Sequence, residues 1–249
     1  MSAAAFNGLF VAEGSSDMPI ADIVELMFFD RGVSVHLRKP DFGLLGKVPK
    51  DVRSRLLAGE KLSDEAIDFV VVHRDADNAG YDARRREICY AVESLATNPE
   101  IVPVIPVRMT EAWLLLDEAA IRLVAGNPRG KADLGLPKPR EVESQPDPKS
   151  TLASALLRAA DVAGRRRDRL AKRFNQNRKQ LLERLDRNGP VAQLSSWKQL
   201  VADVDSIVEG WASAGIEESV EAVRSVPTQS GHSGRPVRQS MSGVPKSVR

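Results

Sequence analysis

The chain has 249 residues, 42% of them hydrophobic and 28% charged, which excludes a disordered or fibrous protein and gives ample material for one large domain or one and a half. Its 36 Lys and Arg against 34 Asp and Glu leave a net charge of +2, so the overall balance points to no class of partner. The single cysteine, Cys89, rules out a disulfide framework within the chain and a cysteine-built zinc site; it suits the reducing cytoplasm and is expected as a buried structural thiol.

No apolar run reaches membrane-spanning length, and no basic segment precedes the short apolar stretch at the start, so neither a membrane partner nor a signal peptide is expected. Residues 6 to 12 predict a first strand that runs into Glu13-Gly14. Ser15-Ser16-Asp17 then offers helix-cap chemistry, with Pro19 in the first turn and Ile20, Ile23, Val24, Met27 and Phe28 at helical spacing. Val33 to Leu37 predict a second strand and Asp51 to Leu57 a short helix. Phe69 to Val72, a β-branched apolar run, predict a strand buried on both faces. A helix is expected over 81 to 95. A strand over 101 to 107 follows, whose Pro103 and Pro106 point to an edge or an irregular strand, and then one helix capped by Thr110 that continues to about Val124. Strands alternating with helices predict a mostly parallel α/β sheet flanked by helices.

Composition shifts near Gly126. A Pro- and Gly-rich connector to residue 150 leads to helices over 151 to 162, 169 to 185 and 197 to 211. The expected organisation is therefore an α/β domain over 1–125, a helical extension over 126–212 and a flexible tail over 213–249 whose Ser, Gly, Pro and Arg have little to bury.

Acidic residues recur at the carboxyl ends of the predicted strands, where open α/β sheets place their ligands. Glu13 ends the first strand, Asp75 and Asp77 follow the central one, and Glu111 follows the fourth; Asp17 lies one helical turn past Glu13. Positions i and i+2 of an extended strand end point the same way, so Asp75 and Asp77 are expected to face one spot, and like charges there call for a cation. Hard divalent cations prefer oxygen ligands, so one or two Mg²⁺ or Mn²⁺ ions are the natural candidates. Two such ions about 3.5–4 Å apart activate water and stabilise a leaving oxygen. A solvated acidic loop, with Glu111 placed only to favour the helix dipole, remains the alternative.

Strand-Glu13-Gly14-x-x-Asp17 followed by strand-x-Asp75-x-Asp77 resembles the signature of the Toprim superfamily, shared by topoisomerases, bacterial primases and OLD-type nucleases. The segment Thr110-Glu111-Ala112-Trp113-Leu114-Leu115-Leu116-Asp117 is similar to a Glu-x-Trp-hydrophobic-Asp element of small stand-alone Toprim proteins encoded beside ATPases in bacterial defence loci. Leu136-Pro137-Lys138-Pro139, Asp147-Pro148-Lys149 and Leu194-Ser195-Ser196-Trp197 also look like that group. The resemblance implies a Rossmann-like Toprim fold and a metal-dependent nuclease. In it, Glu13 is ligand or general acid/base, Asp75 and Asp77 are ligands, and Asp17 and Glu111 serve a second ion. It departs from the wider pattern in Phe-Val-Ala-Glu13, where Val-Glu-Gly is commoner, and in His73-Arg74, where a small or apolar residue often stands.

Between residues 165 and 187 ten basic side chains face three acidic ones, a stretch suited to nucleic-acid phosphates: Arg165, Arg166, Arg167, Lys172 and Arg173 at its start, and Arg178 within it. Arg84, Arg85 and Arg86, nearer the acidic residues, are candidates for holding the strand to be cut, while Trp113, Phe174 and Trp197 are expected in the core. No P-loop or dinucleotide motif is present, so ATP hydrolysis, if the system uses it, falls to a separate ATPase subunit. His73-Arg74-Asp75 lacks the Asn that a kinase catalytic loop requires, because residue 80 is Gly. A metal-dependent phosphatase and a non-catalytic nucleic-acid or partner-binding module stay open as alternatives, and oligomeric state, homo-oligomer included, is left undetermined.

Overall fold

The computed structural model describes residues 5 to 224, with side chains described as far as residue 214. Four strands form one all-parallel sheet in the order β2-β1-β3-β4, with β1 at Ala5–Val11, β2 at Ser34–Arg38, β3 at Phe69–His73 and β4 at Glu100–Val104. Every residue of β3 is buried, as a parallel strand covered on both faces must be. The proline-containing β4 lies at the edge, where the ladder bond that Pro103 cannot donate is not needed. Helices α1 (Pro19–Phe29), α2 (Val52–Lys61) and α3 (Tyr81–Val92) connect the strands. Val52 and Leu56 of α2 and Ile88 and Val92 of α3 pack on Leu9, Val11, Val70 and Val72. Phe69, of the opposite strand parity, meets Phe28 of α1 with ring centroids 5.2 Å apart, so α1 covers the other face. This is a Rossmann-like α/β architecture.

The Phe69 ring and the Leu37 side chain lie over the backbone of residue 8 because it is glycine: a Cβ there would fall 2.5 Å from the ring and 2.6 Å from Leu37. The topology matters more for function. From β1 the chain steps to β2 on one side and returns to β3 on the other, so strand order reverses between β1 and β3. A crevice at such a reversal, beyond the carboxyl ends, is where open α/β sheets bind ligands.

The second half is helical: α4 (Glu111–Leu114), α5 (Glu118–Val124), α6 (Pro148–Ala160), α7 (Gly164–Lys172), α8 (Phe174–Leu182) and α9 (Ser195–Arg224). Two predicted single helices are each divided. Asp117 Oδ1 accepts the Ala120 N–H at 2.9 Å, starting α5 afresh where a continuous helix from 110 to 124 was expected. The predicted helix over 169 to 185 is α7 and α8, hinged at Arg173. One compact unit ends at Gly210 and holds residues 126 to 210 together with the sheet. In it α6 packs on α4 and α5, and α8 packs on α4, α5 and the turn after β1. Residues 213 to 224, expected in the flexible tail, continue the last helix, and the rest of that expected tail lies outside the described residues.

The Trp113 and Trp197 rings meet edge to face at 5.0 Å, both buried, and Trp113 Nε1 donates to Ser196 Oγ at 3.0 Å. Ser195 and Ser196 in turn bind Glu143 through both backbone N–H groups and both hydroxyls, at 2.8 to 3.0 Å, so the carboxylate caps α9 from outside the helix. Burial alone would raise the Glu143 pKa, but these four bonds outweigh it and hold the group below the ordinary glutamate value. A depressed carboxylate stabilises the fold above its unfolded pKa, and that contribution is lost as pH falls through the folded value. Glu143→Ala is therefore expected to cost about 1 kcal/mol at neutral pH, with solvent screening at this half-exposed site already discounted. In thermal melts the deficit against the parent should shrink once the pH drops below the ordinary glutamate range.

Candidate metal centre

Glu13 stands two residues past β1 and Asp75 two residues past β3, so the strand reversal brings both to one crevice. Burial raises the Glu13 pKa first, and Asp75 adds to it, with a smaller push from Asp77. The three carboxylates thus lie within one another's field. The expected geometry of the pair differs, however. Asp77 adopts left-handed backbone at φ 48°, so Asp75 and Asp77 do not follow the extended i, i+2 pattern. The turn is fixed by the segment after β4: Arg74 donates to the Val104 carbonyl, Ala76 to that of Pro106 and Asp77 to that of Arg108, at 3.0, 3.1 and 2.8 Å.

That segment also delivers Thr110. Its side chain does not cap α4, as the sequence suggested; its N–H and hydroxyl both reach Asp75 Oδ1, at 2.9 and 3.0 Å. Because both bonds fall on Oδ1, they leave Oδ2 unconsumed. His73, fully buried, sets its Nε2 2.8 Å from the Thr110 hydroxyl and 3.5 Å from Asp75 Oδ1, with Nδ1 3.9 Å from Asp17 Oδ2. Burial opposes protonation of His73, but the bond to Asp75 and the charges of Asp75 and Asp17 prevail and raise its pKa. Burial likewise pushes Asp75 up, yet His73, Arg178 and the Thr110 N–H bring it below the ordinary aspartate value.

Asp17 and Glu111 form a second acidic pair, and a guanidinium fills it. Arg178 Nε lies 2.9 Å from Glu111 Oε1, and its Nη1 lies 2.6 Å from Asp17 Oδ1 and 2.9 Å from Ser16 Oγ. All three charged side chains are no more than 6% exposed. Asp17 also receives the Gly14 N–H at 3.0 Å, which pins the turn after β1. Arg178, counted in the sequence within the basic stretch suited to nucleic-acid phosphates, is instead a buried internal cation.

Other arginines close on the remaining carboxylates. Arg74 Nη1 lies 2.9 Å from Glu13 and its Nη2 3.4 Å from Glu87, while Arg84 lies 3.5 Å from Asp77 and 2.8 Å from Glu87. Among the described residues no three His, Cys, Asp or Glu side chains are gathered closely enough to hold a metal ion as they stand. The two halves differ in how they suit one. Glu13, Asp75 and Asp77 are hard oxygen donors, with Glu13 raised by burial first and then by Asp75 and Asp77, and Arg74 sits on Glu13 and Arg84 on Asp77. Asp17 and Glu111 already hold a permanent positive charge.

Of the basic residues expected to bind nucleic acid, Arg84 is held by Glu87, Asp77 and the Asp75 carbonyl, and Arg85 by Asp203 at 3.0 Å and by Tyr81. Arg86, Arg165, Arg166, Arg167, Lys172 and Arg173 are exposed. Arg166, Arg169 and Arg173 line an open cleft of about 260 Å³ floored by Ala125, Ala160, Val162 and Leu170. Cys89, expected buried, is partly exposed in α3. No described helix is long and apolar enough to cross a membrane. Compared with protein-family models, with curated proteins and with solved structures, the chain gives no match.

Proposed function

We propose that the chain is a divalent-metal-dependent phosphodiesterase acting on nucleic acid, a nuclease of the Toprim type. What supports the reading is that Glu13, Asp75 and Asp77 follow the two strands between which strand order reverses, with Glu13 raised by burial first and then by Asp75 and Asp77. Glu13, Asp75 and Asp77 would hold Mg²⁺ or Mn²⁺, which when bound supplies Lewis-acid activation of water and charge neutralisation at a phosphate. The chain's own residues do the rest. Thr110 fixes the rotamer of Asp75 through two bonds, and His73 fixes Thr110 from behind. Arg74, which pairs with Glu13 and Glu87, would turn to a phosphate oxygen when a metal takes Glu13. By its resemblance, the chain would serve as the effector of an anti-phage system beside a separate ATPase.

The exposed face of α7 supplies the binding track. Arg166 and Arg169 of α7 and Arg173 just past its end line one cleft and would neutralise backbone phosphates. Changing all three to Gln is expected to weaken nucleic-acid binding at every sequence tested. It should also flatten the plot of log affinity against log salt by about 2–3 units, at roughly 0.7–0.9 per phosphate contact. An unchanged slope in fluorescence-anisotropy titrations would remove α7 from the interface.

A second reading, a non-catalytic nucleic-acid-binding module, is favoured by one observation: Glu13, Asp17, Asp77 and Glu111 each face a guanidinium. Incubation with plasmid, single-stranded DNA and tRNA in Mg²⁺, Mn²⁺ or EDTA separates the two. Metal-dependent cleavage supports the nuclease. Binding without cleavage in every metal supports the module, and turnover confined to small phosphoesters points to a phosphatase.

A further inference from the structure

We propose that Arg178 stands where a second divalent ion would otherwise sit, so that the centre takes a single metal ion, held on the Glu13 and Asp75 side. The inference rests on the metal-dependent reading and departs from the two-ion arrangement that the five acidic residues suggest. Asp17 and Glu111 reach the crest from different elements, the turn after β1 and the start of α4, and their carboxylates converge. Two buried carboxylates so placed require a compensating cation. Arg178 provides it, with Nε on Glu111 at 2.9 Å and Nη1 on Asp17 at 2.6 Å, all three side chains within 6% exposure.

This cation is not adventitious. Leu181 and Leu182, one turn further along α8, are buried at 2% and 1%, and they anchor the helix that delivers the guanidinium. Ser16 Oγ accepts from Nη1 as well, so Arg178 is held by three groups from two elements. A guanidinium does not lose its proton under any ordinary condition, unlike a lysine or histidine at the same place. A divalent ion entering between Asp17 and Glu111 would have to expel that fixed charge or lie directly against it, and both are costly in a buried site. Arg178 thus balances Asp17 and Glu111 in the place of a metal ion. It supplies a second positive charge beside the metal-binding carboxylates without contributing a ligand site.

The test is a count of bound ions, read by loss of the free Mn²⁺ electron paramagnetic resonance signal when the full-length protein is titrated with MnCl₂. The wild type is expected to bind one Mn²⁺ per chain. Asp17→Asn and Glu111→Gln should each keep that one ion at an affinity within a few-fold of the parent, whereas Asp75→Asn should lose it. Arg178→Ala, if circular dichroism shows it folded, should gain a second ion, and Arg178→Lys should stay at one. Two ions in the wild type, loss of the ion in Asp17→Asn or Glu111→Gln, or a count of one in folded Arg178→Ala would overturn the proposal. If Arg178→Ala does not fold, the two carboxylate variants decide. No Mn²⁺ bound by the wild type would instead defeat the metal-dependent reading itself, and this inference with it.

Discussion

Asp75→Asn is expected to abolish the proposed metal-dependent cleavage: the rate loss should be about 10³-fold, equivalent to about 4 kcal/mol of transition-state stabilisation. The size follows from what the substitution removes and what it leaves. Asparagine keeps an Oδ1 that can accept from the Thr110 N–H and hydroxyl, the two bonds that hold the 75–77 turn to the segment after β4. The charge needed to bind a divalent cation is gone. The variant should therefore melt close to the parent and yet show no product from plasmid, single-stranded DNA or tRNA in Mg²⁺ or Mn²⁺. Glu13→Gln should behave alike, since Glu13 comes to the same crevice from the neighbouring strand. Thr110→Val, which removes only the hydroxyl between His73 and Asp75, should cost about 10- to 100-fold, the range for a group that orients a ligand. Cleavage that survives Asp75→Asn at the parent rate would mean that the acidic crest is not the catalytic centre.

The largest effect on stability is expected from Arg178→Gln. Breaking a buried ion pair by removing one partner costs about 3–5 kcal/mol, because the charge left behind has neither water nor a counterion. Here two carboxylates, Asp17 and Glu111, would be stranded together. At about 2–4 °C per kcal/mol for a chain of this size, the melting temperature should fall by roughly 10 °C. One comparison distinguishes lost charge balance from lost packing. Adding Asp17→Asn and Glu111→Gln to the Arg178→Gln chain should recover most of the loss, since no unpaired charge then remains. A triple variant no more stable than Arg178→Gln alone would show that Arg178 acts by packing alone.

Much of the fold can be read from local chemistry. The β-branched run Phe69 to Val72 bounded by acidic and turn residues is a buried parallel strand, and β4, which contains Pro103, lies at an edge, one of the two places its prolines allowed. The division of the helix after Thr110 is harder to see, because Leu114-Leu115-Leu116 continues the apolar pattern into Asp117 and nothing local says that this aspartate caps rather than decorates a helix. At the site, the acidic residues stand out by their position after strands, but the groups that organise them do not. His73 has the strand parity of Phe69 and Val71, a signal that it points inward, yet its link to Thr110 spans 37 residues. Arg178 lies at i+4 from Phe174 and i−3 and i−4 from Leu181 and Leu182, on the apolar face of α8. Counting charges over 165 to 187 hides that one position. The left-handed backbone of Asp77 depends on a bond to the Arg108 carbonyl, which no local pattern encodes.

If Glu13 and Asp75, from adjacent strands, share one divalent cation, anomalous diffraction from crystals grown in MnCl₂ should show it. One manganese peak is expected within ligand distance of a carboxylate oxygen of each residue, with Arg74 turned away from Glu13. A manganese site that touches neither residue, or Glu13 still paired with Arg74 in crystals saturated with the ion, would contradict it.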